Sequence, residues 1–155
     1  MTGSSDKAAL LDALRAALEG TVKRLRAGQD DASAGMRVDG THRPTNRGER
    51  GAVTSAGYLA QGLEARLDEV NSALELLERL DPGPRSRAVT GAWVTVERAD
   101  GEAVQYFLFP GAPGLTLGEV TVVSPEAPVG QALWGREADD EVRLPGGEAV
   151  VLEVR

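Results

Sequence analysis

Residues 53–80 read VTSAGYLAQGLEARLDEVNSALELLERL, and their apolar positions recur alternately every three and four residues. The members of this stripe are Ala60, Leu63, Leu67, Val70, Leu74 and Leu77. Charged residues such as Glu64 and Arg66 fall outside the stripe. This spacing is typical of a coiled-coil seam, so the segment predicts a helix that buries one face.

A second helical stripe precedes the first, between Ser4 and about Ala27, and Ser4 or Ser5 can cap its start. Its positions are Leu11, Leu14, Leu18, the polar Thr21 and Leu25. Neither stripe can be buried alone, so we expect the two helices to fold back on each other as an antiparallel hairpin. The alternative is that the helices pair between chains.

Residues 28–52, GQDDASAGMRVDGTHRPTNRGERGA, have no apolar period and predict an exposed loop at the tip of the hairpin. A loop of this length is either functional or disordered. Its carboxylates, which a helical rod would project away from the body, are suited to Mg²⁺. They are Asp30, Asp31, Asp39 and Glu49. The alternative is that they are solubilising residues offset by the arginines among them.

The segment DPGPRSR, residues 81–87, ends the second helix and begins a linker. We therefore predict a hairpin domain over residues 1–84 and a second domain over 85–155. After the linker the period changes to alternation, which predicts strands at 92–98, 104–109, 120–123 and 149–154. Asp100-Gly101 predicts a type I′ hairpin, and 128–134 a short helix. The expected fold class is α+β, with a small antiparallel sheet.

The aromatic and large apolar side chains of the second domain are few, so each is expected to contribute heavily to a modest core. They are Trp93, Tyr106 or Phe107, Leu133 and Trp134.

The composition argues against several classes of function. The chain has 155 residues and a formal net charge of −7, which argues against direct binding to a nucleic-acid backbone. It contains no cysteine and one histidine, His42, so thiolate chemistry is excluded and neither a zinc site nor a hydrolytic triad is expected. No apolar run is long enough to cross a membrane. We expect a cytoplasmic protein.

Residues 122–154, VVSPEAPVGQALWGREADDEVRLPGGEAVVLEV, resemble the carboxy-terminal motif of bacterial Gre transcription factors. The shared features are the Ser-Pro pair, a glycine, a leucine, a second glycine, Asp-Glu-Val and the Pro-Gly-Gly turn. The chain departs from the family at Gln131, where arginine is frequent, and at Trp134, where leucine is frequent. Ala138-Asp139 replaces a Val-Gly.

The resemblance implies an N-terminal coiled coil, a C-terminal domain of the FKBP-like type and binding to bacterial RNA polymerase. It implies that the C-terminal domain docks at the rim of the secondary channel while the coiled coil enters it. The expected contact residues are Ser124, Pro125, Pro128, Gly130, Gln131, Leu133 and Trp134. We expect a monomeric regulator of elongation that is not an enzyme and has no cofactor. It would meet nucleic acid and the polymerase Mg²⁺ only within the elongation complex.

In cleavage-competent Gre factors an Asp and a Glu three residues later help hold the second Mg²⁺. Aligning on the motif LEAR places Asn46 and Glu49 there, whereas aligning on Ala56 and Tyr58 places Gly51 and Thr54 there. The Asp is missing in both alignments. We therefore expect weak or absent stimulation of transcript cleavage, unless Asp30, Asp31 or Asp39 substitutes.

Two other functions are compatible with the pattern. FKBP-like folds include peptidyl-prolyl isomerases, although the chain has only two each of Trp, Tyr and Phe for an aromatic pocket. Helices that pair between chains would instead make a coiled-coil assembly module.

Overall fold

The computed structural model describes the backbone of residues 2–36 and 47–155 and the side chains of residues 6–31 and 61–155. Two long helices come first, α1 (Thr2–Met36) and α2 (Arg47–Arg79). The strands are β1 (Trp93–Arg98), β2 (Ala103–Leu108), β3 (Thr116–Leu117), β4 (Val120–Val123), β5 (Glu141–Leu144) and β6 (Gly147–Val154). A short helix, α3 (Pro128–Leu133), lies between β4 and β5. The predicted α+β class is confirmed.

Both long helices extend further than the sequence pattern indicated. Residues 28–36 and 47–52, predicted as loop, are helical. The hydrogen bonds of a helix join backbone groups four residues apart, so a helix can continue where the side chains form no apolar stripe. The remaining part of the predicted tip loop lies outside the described residues.

The buried stripe of α1 also differs in register from the predicted one. Its buried apolar side chains are Leu10, Leu14, Leu18 and Val22, at intervals of four residues, whereas Leu11 and Leu25 are only half-buried. On α2, Val70, Ala73 and Leu77 are buried. Gly28 of α1 lies against the side chain of Leu63 of α2, and Lys7 near the start of α1 contacts Gly83 just beyond α2. The two helices therefore run antiparallel, as predicted.

The chain divides into two compact units that differ from the predicted split near Arg85. One comprises residues 1–16 with 73–155, and the other residues 17–72. The first unit therefore contains the start of α1, the end of α2 and the whole sheet. Gly111, after β2, lies so close to Ala73 of α2 and to Phe109 that a side chain there would overlap both.

The sheet has the order β3-β4-β2-β1-β6-β5. Four of its strand pairs are antiparallel, but β2 and β4 are parallel, with Phe107 opposite Val122. The sheet is therefore mixed, and the prediction of a purely antiparallel sheet is wrong. After β2 the chain returns to the end of the sheet at which β2 begins. Strand β4 therefore runs in the same direction as β2 and not opposite to it. Neither β3 nor β5 was predicted.

The turn between β1 and β2 is not the predicted type I′ turn. Gly101 has a φ of +87°, but Asp100 is not in the left-handed region, which a type I′ turn requires. The amide of Gly101 donates to Arg98 O at 2.9 Å, and the amide of Arg98 donates to Glu102 O at 2.8 Å. This is a three-residue loop with glycine in the left-handed position.

One face of the sheet and α3 enclose the main core, which includes Val94, Tyr106, Leu108, Leu133 and Val151. On the opposite face, Trp93, Phe107 and Phe109 are buried, and the Phe107 and Phe109 rings stack with centroids 6.3 Å apart. The predictions of Trp93, Tyr106, Phe107 and Leu133 as core residues are confirmed. The fully buried Phe109 was not predicted as a core residue.

Lys7 is a buried cation at the base of the helices, with 2% of its surface exposed. Its Nζ donates a hydrogen bond to Gly83 O at 2.7 Å, and Arg85 Nη1 donates to the same oxygen at 3.1 Å. Burial, together with the positive charges of Arg85 and Arg155, lowers the pKa of Lys7 from 10.5 to about 8, against the opposing effect of Asp81.

Candidate functional site

The loop before α3 and α3 itself form a compact turn in the C-terminal part of the chain. Ala127 N donates to Ser124 O at 3.0 Å, and Gln131 N donates to Ala127 O at 2.8 Å. Pro128 occupies the first turn of α3, where its missing N–H leaves no helical hydrogen bond unmade. Ser124 Oγ accepts from Glu126 N at 3.3 Å. The loop is thus held by hydrogen bonds among its own residues.

Gly130 brings α3 against the preceding loop. It is buried, and a Cβ added there would overlap the carbonyl group of Ser124 and lie 2.9 Å from the Cα of Pro125. Only glycine allows this approach without a shift of the backbone. Gly130 and the Ser-Pro pair therefore belong to one packed unit, in which the glycine fixes the position of α3.

The last turn of α3 divides two neighbouring apolar residues between the core and the surface. Leu133 is completely buried among the core residues, whereas Trp134 is 48% exposed. Trp134 N donates to Gly130 O at 2.9 Å, and Gly135 N donates to Ala88 O at 2.7 Å. The prediction of Trp134 as a core residue is wrong, because the helix turns its side chain outward.

The predicted contact residues therefore fall into two groups. Pro128, Gln131 and Trp134 are exposed and form what we call the α3 surface. The amide Nε2 of Gln131 donates to Glu126 O at 3.0 Å, which ties this side chain to the loop. Ser124 and Pro125 are half-buried, and the buried Gly130 and Leu133 support the surface from beneath.

Beyond α3, the departure from the Gre motif at Ala138-Asp139 has a structural counterpart. Asp139 has a φ of +73°, in the left-handed region that favours glycine, where Asp is among the tolerated alternatives. Its amide donates to Val151 O at 2.7 Å, which holds the segment against β6.

The predicted tip residues are only partly described. Asp30 and Asp31 are exposed on α1, on a helix and not in the loop where they were predicted. Glu49 is in α2, but its side chain lies outside the described residues, as do Asp39 and Asn46 entirely. Among the described residues, no group of three or more His, Asp or Glu side chains could hold a metal ion.

Comparisons with known proteins place this arrangement in a family. Residues 83–155 match the family model of the transcription elongation factor GreA/GreB C-terminal domain. GreB of Pseudomonas aeruginosa is 32% identical over 116 residues, a match that covers 70% of this chain and 67% of that protein. The chain belongs to the GreA/GreB family. Because the match covers 70% of the chain and residues 83–155 are less than half of it, the match also includes part of the helical region.

Other Gre factors match less of their length. GreB of Yersinia pestis is 34% identical over 99 residues, and GreB of Haemophilus influenzae is 32% identical over 87 residues. These matches cover 60% and 53% of this chain. The chain spans only 57% and 52% of those two proteins.

Solved structures of Gre-like proteins are also similar. The GreA factor homolog 1 (Gfh1) of Thermus thermophilus matches with 21% identity and a TM-score of 0.41, over 91% of this chain and 94% of that one. Gfh1 of Thermus aquaticus matches with 22% identity and a TM-score of 0.40, over 93% of this chain and 95% of that one.

Neither long helix has, in its described residues, an apolar stretch long enough to span a lipid bilayer.

Proposed function

We propose that the chain binds bacterial RNA polymerase and regulates elongation through the secondary channel, with weak or no stimulation of transcript cleavage. The observation that carries this proposal is the match to GreB, which extends from the C-terminal domain into the helices. A protein with both parts has the docking domain and the helical rod that such a factor needs. The family assignment does not favour the isomerase or the assembly module.

The α3 surface is the proposed docking contact. Trp134 offers a large apolar side chain at 48% exposure, next to the exposed Pro128 and Gln131. Leu133 and Gly130 anchor the helix in the core, so this tryptophan is presented on a rigid support. Tryptophan on a well-packed support is the residue type that most often dominates the free energy of a protein interface.

The proposed lack of cleavage rests on the residue at the tip. Asn46, or Gly51 in the other alignment, stands where a cleavage-competent Gre factor has Asp. Neither the side-chain amide of asparagine nor the hydrogen side chain of glycine can supply the negative charge with which a carboxylate binds Mg²⁺. Asp30 and Asp31 lie on α1, where helix geometry gives each a fixed direction. The polymerase supplies the catalytic centre in this proposal, and the chain is neither an enzyme nor the holder of a cofactor.

The same proposal sets the cellular context. The chain acts as a cytoplasmic monomer and meets nucleic acid only within the elongation complex, since its charge of −7 opposes independent binding to a phosphate backbone.

The docking contact is tested by measuring the affinity of core polymerase from the host for three proteins: wild type, Trp134→Ala and Trp134→Phe. We expect Trp134→Ala to weaken binding by at least about tenfold, since a central anchor contributes roughly 2 kcal/mol or more. Trp134→Phe should retain most of the affinity.

Thr116→Ala, at an exposed position of β3, is the control for a surface substitution in the same domain. Equal affinity of Trp134→Ala and wild type would remove the α3 surface from the interface. Absence of binding by the wild-type protein would contradict the proposed function itself.

A further inference from the structure

The face of the sheet opposite α3 carries an apolar patch at its β5–β6 end. Ala149 and Val151 of β6 point into the core that α3 covers, so Val150 between them points to the opposite face. Leu152 follows two residues later, at a register shift between β1 and β6. Val150 is 38% exposed and Leu152 is 44% exposed.

These two side chains are unusual for the chain. Among the side chains of residues 6–31 and 61–155, only three large apolar ones are exposed, and Val150 and Leu152 are two of them. On the same face of the sheet, Phe107 of β2 is buried. Isolated apolar side chains on a surface are ordinary, but two large ones close together on one strand indicate an interaction surface.

Carboxylates surround the apolar pair. Glu97 of β1 and Glu141 of β5 lie opposite Val150 on its two neighbouring strands, and Glu148 precedes it on β6. All three are exposed, and none takes part in an ion pair among the described side chains. Arg143 of β5 and Arg98 at the end of β1 are the basic residues beside them, and Arg98 already has a carboxylate partner in Glu102 at 3.8 Å. With three carboxylates against two arginines, the rim keeps a net negative charge.

The rim also borders a depression of about 450 Å³, whose lining includes Glu97, Arg98, Glu141, Arg143, Glu148 and Val150. Its walls combine carboxylates with aliphatic surface. This combination suits a long basic side chain, whose methylene groups pack on apolar surface while the charged end meets a carboxylate.

We propose that this patch, called the Val150 face and formed by Glu97, Glu141, Glu148, Val150 and Leu152, binds a basic segment of a partner protein. Aliphatic side chains of the segment cover Val150 and Leu152, and its lysines or arginines pair with the three carboxylates. Electrostatic repulsion disfavours a nucleic acid or an anionic membrane at this face. It also disfavours a second copy of this chain, which has a net charge of −7.

The Val150 face is separate from the α3 surface, because neighbouring residues of β6 point to opposite sides of the sheet. The inference therefore does not depend on polymerase binding, and its test contains no polymerase.

The test is a titration of the ¹⁵N-labelled full chain with a short synthetic peptide that alternates lysine and leucine, followed by amide chemical shifts. We expect the shifts to concentrate on β5, β6 and the end of β1, and the affinity to fall as salt is raised. A peptide with glutamate in place of lysine should not bind.

Two variants separate the charge from the apolar contact. Glu141→Gln/Glu148→Gln should weaken peptide binding about fivefold to tenfold, as expected for the loss of two exposed ion pairs. Val150→Thr/Leu152→Thr should weaken it by a similar factor while the salt dependence stays the same. Threonine is suited to a strand, and a dispersed amide spectrum confirms that each variant is folded.

Glu75→Gln/Glu78→Gln, which removes two exposed carboxylates from α2, is the matched control and should leave the affinity unchanged. Three results would overturn the proposal. The shifts could spread evenly over the acidic surface, the control could weaken binding as much as the Glu141/Glu148 variant, or the Val150/Leu152 variant could bind as wild type does. Each would mean that only the general negative charge attracts the peptide.

Discussion

Helix α3 in the C-terminal domain and the exposed side of α2 in the hairpin differ in how closely their backbones are packed. Gly130 has no space for a Cβ, because the carbonyl group of Ser124 already occupies it. Gly62, on the described part of α2, has no atom within 4 Å of such a Cβ apart from its chain neighbours and the nearby backbone of its own helix. At position 130 of α3, packing thus requires glycine, whereas at position 62 on the exposed side of α2 it does not.

This difference bears on function. The packing of Gly130 and Leu133 fixes the position of Trp134, so the α3 surface is a consequence of the fold. The proposed chemistry of the tip depends instead on the identity of single side chains, such as the residue at position 46. A chain can therefore keep the docking domain while it loses the carboxylate.

Gly130→Ala is the substitution with the largest expected effect on stability. The new Cβ overlaps backbone, which cannot move without shifting the loop before α3, and we expect a loss of about 3 kcal/mol or more in the free energy of unfolding. Urea denaturation followed by circular dichroism measures it. Gly146→Ala, at a turn with no atom within 4 Å of the new Cβ, is the control and should change stability by less than about 0.5 kcal/mol. Equal stabilities of the two variants would show that α3 is not tightly packed.

The pH dependence of the unfolding free energy tests the burial of Lys7 at the base of the hairpin. Its folded pKa of about 8 lies below the ordinary value of 10.5, so the unfolded chain binds more protons between these values. Stability contributed by this group should therefore rise by roughly 3 kcal/mol from pH 8 to pH 10.5, and the burial cost should be fully present below pH 8.

The measurement is the difference in unfolding free energy between wild type and Lys7→Met across this pH range. Methionine keeps the apolar stem, and Gly83 O retains its hydrogen bond from Arg85. We expect Lys7→Met to be the more stable protein at pH 7, with the advantage shrinking as pH rises. Lys23→Met, at an exposed position of α1, controls for the lost charge. A difference that does not vary with pH would show that Lys7 is not desolvated.

Gly62→Ala should have the smallest effect, and of the opposite sign. The substitution removes the backbone entropy cost of glycine from a helix interior, and its Cβ meets no other residue. We expect stabilisation by about 0.5–1 kcal/mol, measured as a higher urea midpoint with an unchanged slope. Destabilisation would mean that this part of α2 packs more tightly than the structure shows.

Local patterns predicted much of the fold. The heptad spacing of residues 60–77 and the alternation in β1, β2, β4 and β6 each run over enough residues to be recognised in the sequence. Strand β3 has two residues and β5 has four, with only Val142 and Leu144 as apolar positions, so neither gave a pattern long enough to detect. The parallel pairing of β2 with β4 depends on the path of the intervening chain, which no local pattern encodes.

The candidate site was predictable in part for the same reason. The Ser-Pro pair and Gly130 carry the motif, and the structure brings them into contact. The outward direction of Trp134 was not predictable, since an apolar residue next to Leu133 fits a core equally well until the helix end is known. The burial of Lys7 was missed because a lysine in a helix is ordinarily exposed.

Transcript cleavage by backtracked elongation complexes of the host polymerase tests the central claim most directly, with binding followed in the same reactions. The chain should bind the complexes without accelerating cleavage. Asn46→Asp should raise the cleavage rate if Asn46 and Glu49 occupy the acidic positions, and Gly51→Asp/Thr54→Glu should do so in the other alignment. Strong acceleration by the wild-type chain would contradict the account, because it would require other carboxylates to replace the missing pair.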